Sequence, residues 1–319
     1  MEQAQVKNGE ITLNLLLDGP ADSPHPPILC VHGWPELSLS WRNQLTYFAG
    51  AGHRIAAMDV RGYGESSKPH DIAAYTMAEL CADVAAVIDH LGGRAILFGH
   101  DWGAPIVWNT AIRHAPKVLG VAGLSVPYTP LNDRFFLDLM DQVYADKFFY
   151  QLYFQEEDVA EAEFAADPDA LLKIYWGISG EGVAHAVTAP KTRADKFLTG
   201  MPVPDRLPDW LGAEDLARYN AAFAEGGWRG PLNRYRAQRL DWENRASVAG
   251  KRIAQPACFI AGALDPVRRF LPGHDLYAGA EAHLDDPRGV TLIEGAGHWV
   301  QQEKPAETNA ALEAFVRGL

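Results

Sequence analysis

The chain carries two hydrophobic patterns, one typical of β-strands and one typical of helices, and they alternate at both of its ends. Residues 11–15 alternate apolar and polar side chains, as an outer antiparallel strand does. Residues 27–31 and 95–98 are almost wholly apolar, as strands buried inside a parallel sheet are. The patterns predict strands at Ile11–Leu17, Pro27–Val31, Arg54–Asp59, Ala95–Phe98, Leu119–Ser125, Cys258–Ala261 and Val290–Glu294.

Several of these strands are followed by helical patterns. Between Thr76 and Leu91 the apolar residues fall three or four positions apart, which predicts an amphipathic helix on one face of a sheet. Further helices are predicted over Ala104–His114 and Pro305–Arg317. Strands that alternate with helices indicate an α/β fold with a mostly parallel, doubly wound sheet.

The middle of the chain, residues 127–248, has a different texture. Helical patterns over Asp158–Ala165 and Glu214–Glu225 are separated by proline-rich turns such as Met201–Pro208, and more than half of the chain's Phe, Trp and Tyr residues lie here. We therefore expect a helical cap inserted between two parts of one core, residues 1–126 and 249–319. Its aromatic rings either line a ligand cleft or form the cap's own core.

Composition narrows the class of protein. A chain of 319 residues with 48% hydrophobic residues is globular rather than disordered, and a net charge of -13 without a dense basic block argues against nucleic-acid binding. Three cysteines far apart exclude a disulfide scaffold, and no Cys-x-x-Cys pair suggests structural zinc. Neither a secretion signal nor a membrane span is visible, so the expected location is the cytoplasm.

The most informative segment is Gly-His-Asp-Trp-Gly at residues 99–103, between a predicted strand and a predicted helix. This is the place of the nucleophile elbow, a tight turn whose usual form is Gly-x-Ser-x-Gly. Here Asp101 stands at the centre, so a serine esterase would lack its nucleophile. A carboxylate needs no base to become nucleophilic, since the reference pKa of aspartic acid is about 3.9. Attack on an sp³ carbon would give an alkyl ester, whose hydrolysis requires a general base.

Candidates for the remaining roles follow in chain order. Asp265 comes after the strand Cys258–Ala261, and His298 comes after the strand Val290–Glu294, so both are expected at the carboxyl edge of the sheet. The order nucleophile, acid and histidine along the chain is the one found in enzymes that have a nucleophile elbow. Taken alone, a loop histidine is usually structural and an aspartate before proline usually forms a turn. Together with the elbow, they predict a catalytic triad.

A third loop, residues 31–35, also follows an apolar strand. Its Trp34 amide, beside the amide of Trp102, would form an oxyanion hole for ester hydrolysis. The alternative is a turn that Gly33 and Pro35 merely stabilise.

These motifs resemble the α/β-hydrolase superfamily and, within it, the epoxide hydrolases. His32-Gly33-Trp34-Pro35, the elbow at Asp101, Asp265 and Gly297-His298-Trp299 match that family's oxyanion loop, nucleophile, acid and base in order. The resemblance spans nearly the whole chain and implies an α/β-hydrolase fold. It also implies substrate contacts at His32, Pro35, Tyr153 and Trp299.

Two cap segments look like those that carry the family's ring-opening tyrosines. Residues 149–155 and 229–236 imply Tyr150 and Tyr235, with Tyr153 as a competing choice for the first. Phenols suit the chemistry, because the ring oxygen becomes an alkoxide as the carbon is attacked and two O–H groups can hold or protonate it. The alternative is that each tyrosine only packs in the cap. Arg234 departs from the aromatic residue often found before the second tyrosine.

The expected reaction is therefore conversion of an epoxide and water to a vicinal diol, with no metal or organic cofactor, no nucleic-acid or membrane partner, and a monomer or homodimer as the assembly. A haloalkane or haloacid dehalogenase would share Asp101, Asp265 and His298, and Trp102 could hold its halide. Against this, Trp34 stands where one dehalogenase group has asparagine, and no arginine follows Asp101. A non-catalytic ligand-binding relative could dispense with its base, yet all five catalytic candidates are present.

Overall fold

The computed structural model describes residues 1–183 and 191–319, within which eight strands form a single sheet. The strand order is β1-β2-β4-β3-β5-β6-β7-β8, and only the β1–β2 and β2–β4 pairs are antiparallel. The strands are β1 Glu2–Asn8, β2 Ile11–Asp18, β3 Ile28–Val31, β4 Ile55–Met58, β5 Ala95–His100, β6 Val118–Leu124, β7 Ile253–Gly262 and β8 Leu284–Ile293.

Helices connect these strands on both faces of the sheet. They are α1 Arg42–Gly50, α2 Met77–His90, α3 Gly103–Arg113, α4 Phe136–Val143, α5 Tyr150–Tyr153, α6 Val159–Ala166, α7 Ala170–Gly177, α8 Ala213–Gly226, α9 Arg229–Arg236, α10 Gln238–Glu243, α11 Val300–Glu303 and α12 Pro305–Arg317. Single turns of 3-10 helix occur at Ser38–Trp41, Ile72–Tyr75, Ala115–Lys117, Arg245–Ser247 and Pro266–Arg269. Among the described helices, none has the length and apolarity needed to cross a membrane.

Alternate side chains of the central strands enter two separate cores. Leu29 and Val31 of β3 pack on the face covered by α2, α3 and the cap, whereas Ile28 and Cys30 pack on the face covered by α1 and α12. This two-sided burial explains why β3 reads as an uninterrupted apolar run, since a parallel strand covered on both faces has no polar side. The predicted doubly wound α/β fold is confirmed.

One strand is absent from the sequence-based prediction. β1 lies at the edge of the sheet, and of its seven residues only Val6 is buried, so its sequence carries no alternating pattern. β2 is therefore not the outer strand that its alternation suggested. It lies between β1 and β4, antiparallel to both.

The cap, meaning the segment between Leu124 of β6 and Ile253 of β7, adds no strand to the sheet in its described part. Its helices α6 and α8 lie within one residue of the predicted bounds. Cap rings such as Phe154, Phe164 and Trp228 belong to the same buried cluster as Trp34 of the core. The cap thus packs directly over the loops at the carboxyl edge of the sheet.

Candidate active site

The turn between β5 and α3 holds Asp101 in a left-handed conformation, with φ of 50°. Glycines at two positions permit the tight packing that surrounds it. A Cβ atom on Gly33 would lie 2.3 Å from Oδ1 of Asp101, and one on Gly103 would lie 2.0 Å from the carbonyl oxygen of Val31. The predicted nucleophile elbow is therefore formed, with a strained residue at its centre.

The two carboxylate oxygens of Asp101 have different neighbours. Oδ1 accepts a hydrogen bond of 2.7 Å from the backbone N–H of Trp34. Oδ2 lies 3.4 Å from Nε2 of His298. The side chain is nearly buried, yet it lines a cavity of about 540 Å³ between the core and the cap. One oxygen is thus fixed by an amide, and the other faces the imidazole.

His298 contacts Asp265 through its other ring nitrogen. Nδ1 lies 3.0 Å from Oδ2 and 3.1 Å from Oδ1 of Asp265, and both side chains are buried. Burial opposes the charge on the imidazole, but Asp265 and Asp101 outweigh it and raise the pKa of His298 well above its ordinary value. Burial likewise opposes ionisation of Asp265, but the neighbouring imidazole holds the pKa of that carboxyl below its ordinary value.

The loop that carries His298 is held by contacts on several sides. The backbone N–H of His298 donates to the carbonyl of Ile178 in the cap at 2.9 Å. The carboxylate of Glu303 accepts hydrogen bonds from the N–H groups of Gly180, Gly297 and Trp299 at 2.8, 3.0 and 2.9 Å. Burial raises the pKa of Glu303 despite these three donors. One side chain therefore ties the histidine loop to the cap.

A second buried group lies directly beneath the triad. Nε2 of His100 lies 2.7 Å from the carbonyl oxygen of His298, and Nδ1 lies 2.7 Å from Oε2 of Glu36. The amides of Gln301 and Gln302 donate to the other Glu36 oxygen. Because a backbone carbonyl can only accept, Nε2 of His100 is the donor in its contact with His298. Together, His100 and Glu36 hold the backbone of His298 in place.

Sequence reasoning missed these supporting residues. Glu36 follows the oxyanion loop directly and His100 precedes the nucleophile, so their positions in the motifs were a usable signal. Glu303 offered no such signal, because one of its partners, Gly180, is 123 residues away.

The two predicted tyrosines meet near Asp101. Tyr150 lines the cavity, and the ring centroid of Tyr235 lies 5.8 Å from that of Tyr150 and 5.3 Å from that of Trp102. Burial raises the pKa of both phenols, and the charge of Asp101 adds to the effect. Both therefore keep their protons at neutral pH and can act as donors.

The other four predicted contact residues do not reach the cavity. His32 is buried, with Nδ1 2.8 Å from the carbonyl of Gly33 and Nε2 accepting from the N–H of Val60 at 3.0 Å, so it braces the oxyanion loop. The Pro35 carbonyl accepts from the hydroxyl of Tyr175.

Tyr153 and Trp299 are likewise occupied elsewhere. The hydroxyl of Tyr153 donates to Glu163 at 2.8 Å, which removes it as an alternative to Tyr150. The indole of Trp299 donates to the carbonyl of Tyr175 and packs its edge against the His298 ring. Because none of the four lines the cavity and each has a polar group engaged within the protein, the structure does not support direct substrate contact at these residues, which stays an untested prediction.

Arg234 stands at the position where the resemblance led us to expect an aromatic residue. Its guanidinium lies over the ring of Trp102, with 4.8 Å between Cζ and the ring centroid. It also pairs with Asp241 and donates to the carbonyl of Tyr75. A planar cation thus covers Trp102 as a ring would, with its charge balanced by a neighbour.

Comparisons with known proteins agree with this geometry. Residues 26–305 match a family model described as the alpha/beta hydrolase fold. The chain is 41% identical over 299 residues to epoxide hydrolase A of Mycobacterium tuberculosis, covering 92% of this chain and 91% of that protein. The crystal structure of epoxide hydrolase A from Mycobacterium thermoresistibile superposes with a TM-score of 0.92 at 40% identity, covering 100% of this chain and 98% of the other. An epoxide hydrolase from an endophytic Streptomyces gives a TM-score of 0.90 at 37% identity, covering 99% and 95%.

Proposed function

This chain belongs to the α/β-hydrolase family and, within it, to the epoxide hydrolases, and we propose that it forms vicinal diols through an ester on Asp101. The observation that supports this mechanism most directly is that the two carboxylate oxygens of Asp101 have different neighbours. The amide of Trp34 holds Oδ1 at 2.7 Å, while Oδ2 faces His298 at 3.4 Å, in a cavity that Tyr150 also lines.

In the first step the epoxide lies between the cap and the sheet, with its oxygen at the hydroxyls of Tyr150 and Tyr235. Oδ2 of Asp101 attacks a ring carbon, a new carbon–oxygen bond forms, and the bond from that carbon to the ring oxygen breaks. The ring oxygen takes a proton from a phenol and becomes a hydroxyl group. The product is a hydroxyalkyl ester, and one tyrosine is left as a phenolate.

Ester formation also changes the titration of His298. The charge of Asp101 is among the causes that raise the pKa of this histidine in the free enzyme, and the ester carries no charge. The pKa of His298 therefore falls as the ester forms, and the imidazolium gives up a proton that restores the phenol. The neutral imidazole that results is the base that the second step needs.

In the second step His298, oriented by Asp265, removes a proton from water. The hydroxide adds to Cγ of Asp101, and the oxyanion develops on Oδ1, where the Trp34 amide and the adjacent Trp102 amide stabilise it. Collapse of this intermediate breaks the bond between Cγ and Oδ2 and releases the diol, whose new hydroxyl takes the proton of the hydroxyl group that water added to Cγ. His298 and Asp101 end as the imidazolium and carboxylate from which the cycle began.

The surroundings of Asp101 favour an epoxide over a haloalkane. The ring of Trp102, the candidate halide donor, packs against the ring of Tyr235, with 5.3 Å between the centroids. The indole N–H of Trp34 has no partner among the described residues, but this side chain does not line the cavity. Tyr150, a protonated phenol, lines the cavity together with Asp101, and Tyr235 packs against Tyr150 and Trp102.

Turnover measurements separate the candidate functions. We expect hydrolysis of styrene oxide, and no comparable release of halide from a chloroalkane or of phenolate from a p-nitrophenyl ester. Asp101→Asn, which keeps the shape of the side chain, is the matched control and should abolish diol formation. Halide release at the higher rate would overturn the proposal in favour of a dehalogenase, and no turnover at all would favour a binding protein.

Four further expectations belong to the proposal. We propose that residues 127–248 form the cap as a unit; residues 184–190 lie outside the described part. The reaction uses only water and the side chains above, so a chelator should leave activity unchanged. We also propose a cytoplasmic enzyme, supported by three cysteines that are all buried and unpaired, and a monomer or homodimer, which sedimentation would distinguish.

A further inference from the structure

Three glutamines connect the two helices that carry the tyrosines. Nε2 of Gln238 lies 3.0 Å from the backbone carbonyl of Tyr235 and 3.2 Å from Oε1 of Gln151. Nε2 of Gln151 in turn lies 3.0 Å from the hydroxyl oxygen of Tyr150. Gln155 donates only to backbone carbonyls, those of Gln151 at 2.8 Å and Tyr235 at 3.2 Å. Gln151 and Gln238 line the same cavity as Asp101.

The direction of each hydrogen bond in this network of amides follows from the backbone carbonyl of Tyr235, where the network begins. A backbone carbonyl can only accept, so the Gln238 atom that faces Tyr235 must be the amide nitrogen. The second proton of that nitrogen points at Gln151, so the Gln151 atom opposite must be its oxygen. The nitrogen of Gln151 then faces Tyr150, because the reversed amide would place two nitrogens, both donors, against each other.

This order determines what the Tyr150 hydroxyl can do. Its oxygen accepts an N–H from Gln151, so its own proton is not used on that amide and can be donated to another group. The ring of Tyr235 packs against the indole of Trp102, with 5.3 Å between the ring centroids. When a substrate oxygen enters beside the Tyr150 hydroxyl, this phenol keeps the N–H donor of Gln151 on its own oxygen.

We propose that Gln151, held in one orientation by Gln238, is a positioning residue that directs the hydroxyl proton of Tyr150 onto the epoxide oxygen. This inference rests on the proposed ester mechanism. The same N–H donor also stabilises the negative charge that develops on the Tyr150 oxygen as the phenol gives up its proton. A hydrogen bond to a charged acceptor is stronger than one to a neutral acceptor. Gln151 therefore assists ring opening and has no part in ester hydrolysis.

Ring opening can be measured alone in a His298→Gln background, where the ester accumulates and intact-protein mass reports its formation with time. To this parent we would add Gln151→Met, which removes the donor, or Gln151→Glu, which keeps the oxygen that Gln238 contacts but presents an acceptor to Tyr150. Gln155→Met is the matched control, because it removes amide bonds between the same helices without touching a phenol. Thermal melting of each variant reports folding separately.

We expect Gln151→Met to slow ester formation roughly ten- to hundredfold, the effect of losing one hydrogen bond to a group that becomes charged. Gln151→Glu should be slowed at least as much at neutral pH and should recover as the pH falls, because a protonated carboxyl can donate to Tyr150 again. Gln155→Met should melt at a lower temperature yet form the ester at nearly the parent's rate.

Two results would overturn the inference. One is ester formation by both Gln151 variants at the parent's rate. The other is equal slowing by Gln151→Met and Gln155→Met, which would assign Gln151 a merely structural role. If Gln151→Glu does not fold, Gln151→Met decides the question alone. Failure of the proposed function is seen separately, because the His298→Gln parent would then accumulate no ester on Asp101.

Discussion

The charge of Asp101 should control the titration of His298. In the structure Oδ2 of Asp101 lies 3.4 Å from Nε2 of His298, and the histidine is almost fully buried. An opposite charge at such a distance shifts a pKa by about one to three units. Asp101→Asn removes the charge while keeping the size of the side chain, so it imitates the uncharged ester. We expect the pKa of His298 to fall by that amount.

Nuclear magnetic resonance titration of the histidine ring carbons measures this shift directly, with His298→Gln used to assign the signal. Asp265→Asn is an informative companion, because it removes the other carboxylate and should also lower the pKa of His298. The sign matters for the mechanism. Asp265 and Asp101 raise the pKa of His298 well above its ordinary value in the free enzyme, and loss of the Asp101 charge on esterification lowers that pKa, which favours the neutral imidazole that the second step needs.

The reasoning would be refuted if the pKa of His298 in Asp101→Asn stayed within about half a unit of the parent value, well short of the shift expected from an adjacent opposite charge. A rise in that pKa would contradict it more strongly, because it would mean that burial and Asp101 act in the same direction. Either result would contradict the fall in the pKa of His298 on which the second step depends.

Three other variants test separate parts of the site. Replacing Tyr150 and Tyr235 together by phenylalanine should slow epoxide opening by about 10²- to 10⁴-fold, the contribution of positioned acid catalysis, and stopped-flow measurement of near-normal opening would remove the phenols from the mechanism. His298→Gln should be alkylated but release diol slowly, so an unmodified protein mass after incubation with a substrate would contradict the two-step scheme. Glu303→Gln should lower the free energy of unfolding by about 1–3 kcal/mol, because one of the two acceptor oxygens becomes an amide donor that faces buried N–H groups, and should slow ester hydrolysis more than ester formation; unchanged urea denaturation would show that the carboxylate is not needed to hold the histidine loop.

The strands of the sheet were predictable from the sequence where burial on both faces requires a run of apolar residues. β3 and β5 are covered on both faces, so their residues are nearly all apolar. β1 was not predictable, because it is an edge strand with a single buried residue, and its pairing depends on β2 rather than on its own composition. Parallel strands also bring their carboxyl ends to one edge, which is why the order of Asp101, Asp265 and His298 along the chain indicated a shared site.

The residues that support the site were harder to predict, because their roles depend on partners far away in the chain. His32 belongs to the oxyanion motif, yet its ring faces Val60 rather than the cavity. The acceptor role of Glu303 joins the histidine loop to the cap and appears only in the folded chain. The glutamines are a sharper case, since the direction of each amide follows from the carbonyl at the end of the network and from nothing in the local sequence.

The central claim is that Asp101 carries the substrate as an ester before water releases it, and heavy-oxygen water tests it most directly. Enzyme in excess over an epoxide would complete one round of turnover in labelled water, followed by mass analysis of the diol and of the peptide that contains Asp101. We predict an unlabelled diol and a labelled Asp101 carboxylate, because the water oxygen adds to Cγ and the diol takes its second oxygen from the protein. Label found wholly in the diol, with none in the peptide, would contradict the claim and mean that water attacks the epoxide itself.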